Sequence, residues 1–415
     1  MAPPVLGASP DAAVILAGRG LRAFADGLIS VLLPAYLTLI GFNALRIGAI
    51  SSATLAGSAV LTLAVALGAY RLRRRPLLLS AAVLMAGTGV GFAFLHSFWP
   101  LMLVAFVGTL NPSSGDVSVF LPLEQSLLPQ TVSDKSRTAL FARYSLVGSL
   151  LGAFGALAAG LPALFAGGSS SNRLVALQAM FLLYALVGTM AFVLYGRLSP
   201  SVEGVGGQPS APLGESKHRV YALAGLFSID AFGGGLIAQS LLALWLFQRF
   251  HLSLAAAGTI FFVTGLLSAG SYLAAARLAS RFGLINTMVF SHLPANVLLL
   301  LVPFMPNLPL ALALLMARSA LSQMDVPTRS SYVMAVVTPA ERPATAGVTA
   351  VPRSLASAAG PALSGYMLAL SSFGWPLVLA GAVKGAYDLL LLAMFAKVRP
   401  PEERERLSRA IEPEE

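Results

Sequence analysis

Thirteen ionisable side chains stand inside stretches that are otherwise almost wholly apolar. Seven are basic (Arg19, Arg22, Arg143, Arg318, Arg329, Arg353 and Lys384) and six are acidic (Asp26, Asp116, Glu124, Asp230, Asp325 and Asp388). A charge at the centre of an apolar helix costs about 2.5–3.5 kcal/mol to insert, so it is kept where it meets a partner, an interior or water. Such groups can neutralise one another, take up and release protons, or hold an ionic ligand. Three pairs are spaced four apart on one helical face: Arg22 with Asp26, Asp325 with Arg329, and Lys384 with Asp388. That spacing predicts local ion pairs. Asp116, Glu124, Asp230, Arg143, Arg318 and Arg353 have no opposite charge three or four residues away. They need partners on other helices or a wet cavity, and their similar depth predicts that Glu124 pairs with Arg143.

Four of the acids follow a pattern. Asp26, Asp116, Asp230 and Asp325 fall in the first, fourth, seventh and tenth apolar stretches, each near mid-depth. This spacing predicts an acidic set around one shared interior. A carboxylate in a poorly hydrated cavity can exchange a proton with either side as its surroundings change. Asp116, without a cation on its own helix, and Asp26, beside Arg22, are the proton-coupling candidates. Asp230, Asp325, Arg318, Arg329, Arg353 and Tyr36 are the substrate-cavity candidates. Tyr36 and Trp245, late in their stretches, also suit membrane-interface anchors. Pro122, Pro327 and the run Gly233-Gly234-Gly235 are expected to bend or closely pack helices.

Other chemistries are excluded. There is no cysteine, and His96, His218, His251 and His292 are scattered without an i,i+4 pair, so neither a metal site nor a cofactor is expected. No Gly-Lys-Ser/Thr follows the glycine run and no Ser/His/Asp arrangement is evident, so the chain does not read as an enzyme.

The elements that must position these groups are membrane helices. The 415 residues include 11% charged ones, against about a quarter in a soluble domain, and mean hydropathy is +0.80. Twelve spans of about 20 residues or more are predicted at 12–39, 46–69, 76–95, 99–129, 138–165, 173–196, 219–247, 254–276, 284–304, 308–337, 343–370 and 374–397. The strict alternation of a barrel strand is absent. Residues 1–198 and 219–398 form two six-helix halves, joined by a Ser/Pro/Gly-rich linker at 199–218 and followed by a tail at 399–415. Loops and tail on the linker side carry seventeen Lys and Arg, the opposite loops three. This bias places both termini and the linker in the cytoplasm. It also explains the net charge of +10 without nucleic acid. Short matches recur at offsets of 206 to 209 residues, among them Gly27-Leu28-Ile29 with Gly235-Leu236-Ile237 and Asp116-Val117 with Asp325-Val326. They indicate duplication, a common way of building a site at the bilayer midplane.

With these features the chain resembles the major facilitator superfamily. LASRFG at 278–283 is similar to the family's loop signature, with Ser280 where Asp is usual, and GAYRLRRRP is a degenerate first-half copy with Arg74 at that place. FADGLISVLLPAYL resembles the first span of drug/proton antiporters, and MDVPTRSSYVMAVVTPAERPATAGV with AAGPALSG resembles spans 10 and 11 of bacterial exporters. Span 5 lacks the antiporters' Gly-Pro, having Gly152-Ala153 instead. The resemblance implies an all-α fold of two pseudo-symmetric bundles, with spans 1, 4, 7 and 10 around the cavity. It further implies alternating access in a bacterial inner membrane and a cytoplasmic gate, for which Glu124, Arg143, Arg74, Ser280 and Arg281 are the candidates. The expected activity is proton-coupled export of a small organic molecule by a monomer. The alternative is a facilitator or importer of a polar or anionic metabolite bound by arginines.

Overall fold

A chain in hydrocarbon has no water to satisfy its peptide groups, so long apolar runs must bond within themselves as helices. The computed structural model describes residues 9–68, 73–113, 118–131, 134–165, 170–200, 213–338 and 341–398, and every regular element among them is helical. In chain order these are α1 (Pro10–Leu39), α2 (Ala44–Gly68), α3 (Arg74–Phe94), α4 (Phe98–Val107), α5 (Phe120–Leu127), α6 (Asp134–Ala158), α7 (Pro162–Phe165) and α8 (Ser170–Tyr195). They are followed by α9 (Lys217–Leu236), α10 (Gln239–Phe250), α11 (Leu254–Phe282), α12 (Leu284–Leu301), α13 (Leu308–Leu321), α14 (Asp325–Ala335), α15 (Arg342–Leu370) and α16 (Trp375–Phe395). Among the described residues, nine helical segments are long and apolar enough to cross a membrane. Asp116, residues 201–212 of the expected linker, the expected tail and part of GAYRLRRRP lie outside the described residues.

Three of the twelve expected spans are broken near mid-height. The fourth is split into α4 and α5, the seventh into α9 and α10, and the tenth into α13 and α14. Each break leaves peptide groups without helical partners, and neighbours answer them. Ser240 N–H, at the start of α10, donates to the carbonyl of Pro112 in the first break at 2.9 Å. In the third break Gln323 N–H donates to Ser271 Oγ at 3.2 Å, and Tyr272 donates to Gln323 Oε1 at 2.9 Å.

The helices group into two compact units. The first comprises residues 1–208, 235–266 and 357–376, the second residues 209–234, 267–356 and 377–415. In the first unit α1 packs on α6 and α8, α3 on α8, and α2 on α4. The α1–α6 crossing is as close as backbones allow: a Cβ on Gly27 would strike the carbonyl of Gly152, and one on Gly155 that of Phe24. The unit also gathers the ends, remote from the linker, of helices from the second half of the sequence. The reason is again small residues, since Gly48 lies against Gly365 and Gly235 against Gly360, while Ala362 N–H donates to Ser52 Oγ at 2.8 Å. Trp245 is fully buried in this unit beside Phe250, so it is packing material and not an interface anchor.

In the second unit Leu223 and Phe227 of α9, Met288 and Val289 of α12, Tyr332 and Val333 of α14, and Tyr387, Leu391 and Phe395 of α16 form a buried core. The glycine of LASRFG has a structural task here. Gly283 adopts a φ of 86°, which lets the chain turn between α11 and α12 where an L side chain would be strained.

Candidate functional site

Each unit encloses a network of charged side chains. In the first, α1 presents Arg22, α5 Glu124, α6 Tyr144 and α8 Tyr195. Glu124 is fully buried; Arg22 Nη2 forms an ion pair with its Oε2. Tyr144 and Tyr195 donate to the two Glu124 oxygens at 2.5 Å each, and Arg22 Nε donates to the Tyr195 hydroxyl at 3.0 Å. The guanidinium also stacks over Phe120, 4.1 Å from the ring centre. The expected Arg22–Asp26 pair does not form, because Arg22 is taken up by Glu124 and Tyr195. The expected Glu124–Arg143 pair does not form either, since Arg143 is exposed on α6 while its neighbour Tyr144 points inward. Asp26 is buried one turn along α1, with Asn111 beside its carboxyl group, and has no ion pair with a described residue.

Asp230 of α9 is the hub of the second unit. Lys384 Nζ of α16 binds its Oδ1, Arg329 Nη1 of α14 lies 3.0 Å from its Oδ2, and His292 Nε2 of α12 is 3.8 Å away. Arg329 also meets Asp325 at 3.3 Å, as their spacing predicted. The expected Lys384–Asp388 pair is replaced by two longer-range ones. Lys384 goes to Asp230, while Asp388 is held by His292 Nδ1 at 2.9 Å and by Asn296 Nδ2 at 2.8 Å. His292 thus bridges two carboxylates, a role its isolated place in the sequence hid. The legible signal was a pair of polar rungs, His292/Asn296 and Lys384/Asp388, each four residues apart in an apolar helix. Among the described residues no three His, Cys, Asp or Glu side chains gather as a metal site.

Arg318, on the last turn of α13, shares an inward face with buried Ala311, Leu315 and Ser322. Its Nε is closed off without a hydrogen-bond partner, and no described carboxylate lies at ion-pair distance. Asp230 is the charge it feels. The remaining expectations scatter. Tyr36 is buried in the first unit, donates to Phe92 O at 2.7 Å and packs on Phe181, so it is a core residue and not a cavity group. Arg353 is half-buried on α15, and Arg74 is half-buried at the start of α3. Ser280 and Arg281 are exposed at the end of α11, Ser280 donating to the Arg277 carbonyl at 2.8 Å and Arg281 lying over Phe282.

Two acids outside the spans also went unread. Asp11, in the first turn of α1, accepts from Ser199 N and Oγ at 2.9 and 2.6 Å. Glu341, just before α15, accepts from Gly214 N and from Thr338 Oγ1 at 2.9 Å. Hydrogen bonds from Ser216 first, then Gly214 and Thr338, hold the Glu341 carboxyl at about 2, below its ordinary 4.5.

The chain is similar over nearly its whole length to an uncharacterized membrane protein of Saccharomyces cerevisiae. The two are 26% identical over 427 residues, covering 94% of this chain and 95% of the yeast protein. Its fold is that of a bacterial homologue of the human lysosomal transporter Spinster, with a TM-score of 0.74, 15% identity, and coverage of 94% of this chain and 97% of that one. A D-xylose–proton symporter superposes with a TM-score of 0.70 and 15% identity, covering 93% and 98% of the two chains. The family model for the Major Facilitator Superfamily matches residues 15–322 and 223–413. Its helices, its broken spans and this match agree: the chain is an integral membrane protein and belongs to the major facilitator superfamily of transporters.

Proposed function

We propose that the chain is a secondary transporter that moves a small organic molecule by alternating access and couples that movement to protons. Its halves, 1–198 and 219–398, are the two moving bundles, with the linker and both termini in the cytoplasm of a cell whose inner membrane it spans. The observation that carries the coupling is Asp26. It is a buried carboxylate on α1 with no ion pair to a described residue, beside an Arg22–Glu124 pair that is fully clamped. A group held by an ion pair must break that pair to change its protonation, whereas Asp26 can do so without unmaking one. Asp116 stands as the other proton-coupling candidate, and Arg74 of α3 and Ser280 and Arg281 of α11 as candidates for the cytoplasmic gate. The D-xylose–proton symporter of the same fold supports proton coupling as a use of this architecture.

Export is the leading direction. Uptake of a polar or anionic metabolite has one observation in its favour: among the described residues, acids engage Arg329 and Lys384 but not Arg318.

The test is flux in liposomes carrying an imposed proton gradient, with a pH dye inside. Wild type should move protons only when a transported compound is present. Asp26→Asn should lose gradient-driven accumulation but keep exchange of the compound across the membrane. Accumulation by Asp26→Asn equal to wild type would remove Asp26 from the coupling. Substrate movement that ignores the gradient in wild type would leave a facilitator.

A further inference from the structure

We propose that Arg318 is the anion-recognition group of this transporter, and that a proton on His292 accompanies the bound anion. The proposal rests on the transporter reading in its uptake form, because an anion and a proton that load together travel in the same direction, and it adds to that reading a substrate class and a charge balance.

The argument begins with what each cation in the second unit already touches. Lys384 is bound by Asp230, and Arg329 by Asp230 and Asp325. Among the described residues, Arg318 alone of these three has neither a carboxylate at ion-pair distance nor a partner for its Nε. It lies on the buried face of α13, one turn before the break at 322–324. Beside that break stand hydrogen-bonding groups, Ser271, Tyr272 and Gln323. Arg318 is half-buried, and a guanidinium nitrogen closed off without an acceptor is costly. Its fork of donors suits a planar carboxylate or a sulfonate, which would complete the missing pair.

The charges around His292 decide what must travel with such an anion. His292 touches Asp230 of α9, Asn296 on its own helix, and Tyr387 and Asp388 of α16; Lys384 of α16 and Arg329 of α14 join the cluster through Asp230, Asp325 through Arg329, and Arg318 of α13 through the charge of Asp230. Asp230, Asp325 and Asp388 are matched one for one by Arg318, Arg329 and Lys384, so with a neutral imidazole the cluster carries no net charge. The imidazole lies between two carboxylates, 2.9 Å from Asp388 and 3.8 Å from Asp230, and edge-on to Tyr387, with ring centres 6.0 Å apart. A proton placed there has acceptors on both sides and leaves one unit of positive charge, which a monoanion on Arg318 cancels. Anion and proton therefore load together, and neither is favoured alone in a poorly hydrated interior.

The experiment is equilibrium binding to the purified full chain in detergent, read by thermal shift and by calorimetry. It separates recognition from transport. The probes are benzoate and benzenesulfonate, with benzamide as their neutral counterpart. Measurements at about pH 5.5 and about pH 8 straddle the ordinary histidine value of about 6.5. Benzenesulfonate stays ionised at both, so its pH dependence belongs to the protein. An anion should bind about tenfold tighter at the lower pH, and benzamide should not bind. Arg318→Gln should lose anion binding by about tenfold or more, and Arg318→Lys should keep part of it. His292→Gln should bind the anion with no pH dependence. Each variant's unfolding temperature without ligand checks that the bundle is intact.

Equal binding of benzamide, wild-type anion affinity in Arg318→Gln, pH dependence surviving in His292→Gln, or no binding of either anion at either pH would overturn the proposal. Anion binding without flux in liposomes would leave this site standing and sink the transporter reading. Proton-coupled flux of neutral compounds only would do the reverse.

Discussion

Asp230 shows how much one buried carboxylate can organise. Two cations and an imidazole converge on it, so removing any one of them leaves charge uncompensated in the interior. Breaking such a pair costs about 3–5 kcal/mol, whereas replacing both partners by apolar groups is often close to neutral. Lys384→Met is therefore expected to lower the unfolding temperature sharply, because Asp230 keeps only Arg329 as a close cation. Asp230→Asn combined with Lys384→Met should recover a large part of the loss. Thermal unfolding of the three variants in detergent checks this, and additive losses would mean the bridge contributes nothing specific. The same residues show where sequence reasoning stopped. The i,i+4 rule sees only one helix: it found Asp325–Arg329, but it assigned Arg22 to Asp26 and Lys384 to Asp388. Both cations reach across instead, to Glu124 and Asp230, where a second hydrogen bond or a second ion strengthens the contact. Cross-helix partners depend on how the bundle packs, which charge spacing along a chain does not encode. His292 was passed over for the same reason, since both of its carboxylates come from other helices.

At the scale of the element, the spans were legible because a membrane imposes their length and apolarity. Their breaks were legible only in part. Pro122 and Pro327 marked the fourth and tenth spans and the glycine run marked the seventh, but how the breaks are satisfied depends on neighbours. The α1–α6 crossing offers a clean comparison. Gly27→Ala places a methyl group against the Gly152 backbone and must push two helices apart, so folded yield and unfolding temperature should fall. Gly87→Ala, on α3 with nothing within 4 Å of the new methyl, should hold or gain slightly, by up to about 1 kcal/mol from helix propensity. Equal effects of the two changes in a thermal-unfolding assay would rule out close helix contact as the reason for Gly27.

For the molecule as a whole, the described ends of the linker segment are tied down by acids at both sides. Ser199 is held by Asp11 in the first unit and Gly214 by Glu341 in the second. Because Glu341 titrates at about 2 in the fold and at about 4.5 when released, its contribution is complete above about 4.5. It fades as pH falls from there through about 2. Protection of the Gly214 amide, its exchange rate relative to that of the free peptide at the same pH, should fall over that acid range and should already be low at neutral pH in Glu341→Gln. Unchanged protection in the variant would show that the amide is held by something else. The sequence singled out neither tether, because an isolated acid beside a span looks like ordinary surface.

The docking of one helix break on another has a consequence for how the molecule answers its solvent. In the alternating-access reading proposed above, a state that parts Ser240 N–H from the Pro112 carbonyl must admit water to both groups, so closure there would be a drying event. The equilibrium between closed and parted states therefore depends on water activity as well as on ligand. Solutes too large to enter the seam should favour the closed state in proportion to the water excluded. Turnover should then slow as osmolality rises, even at constant gradient and substrate.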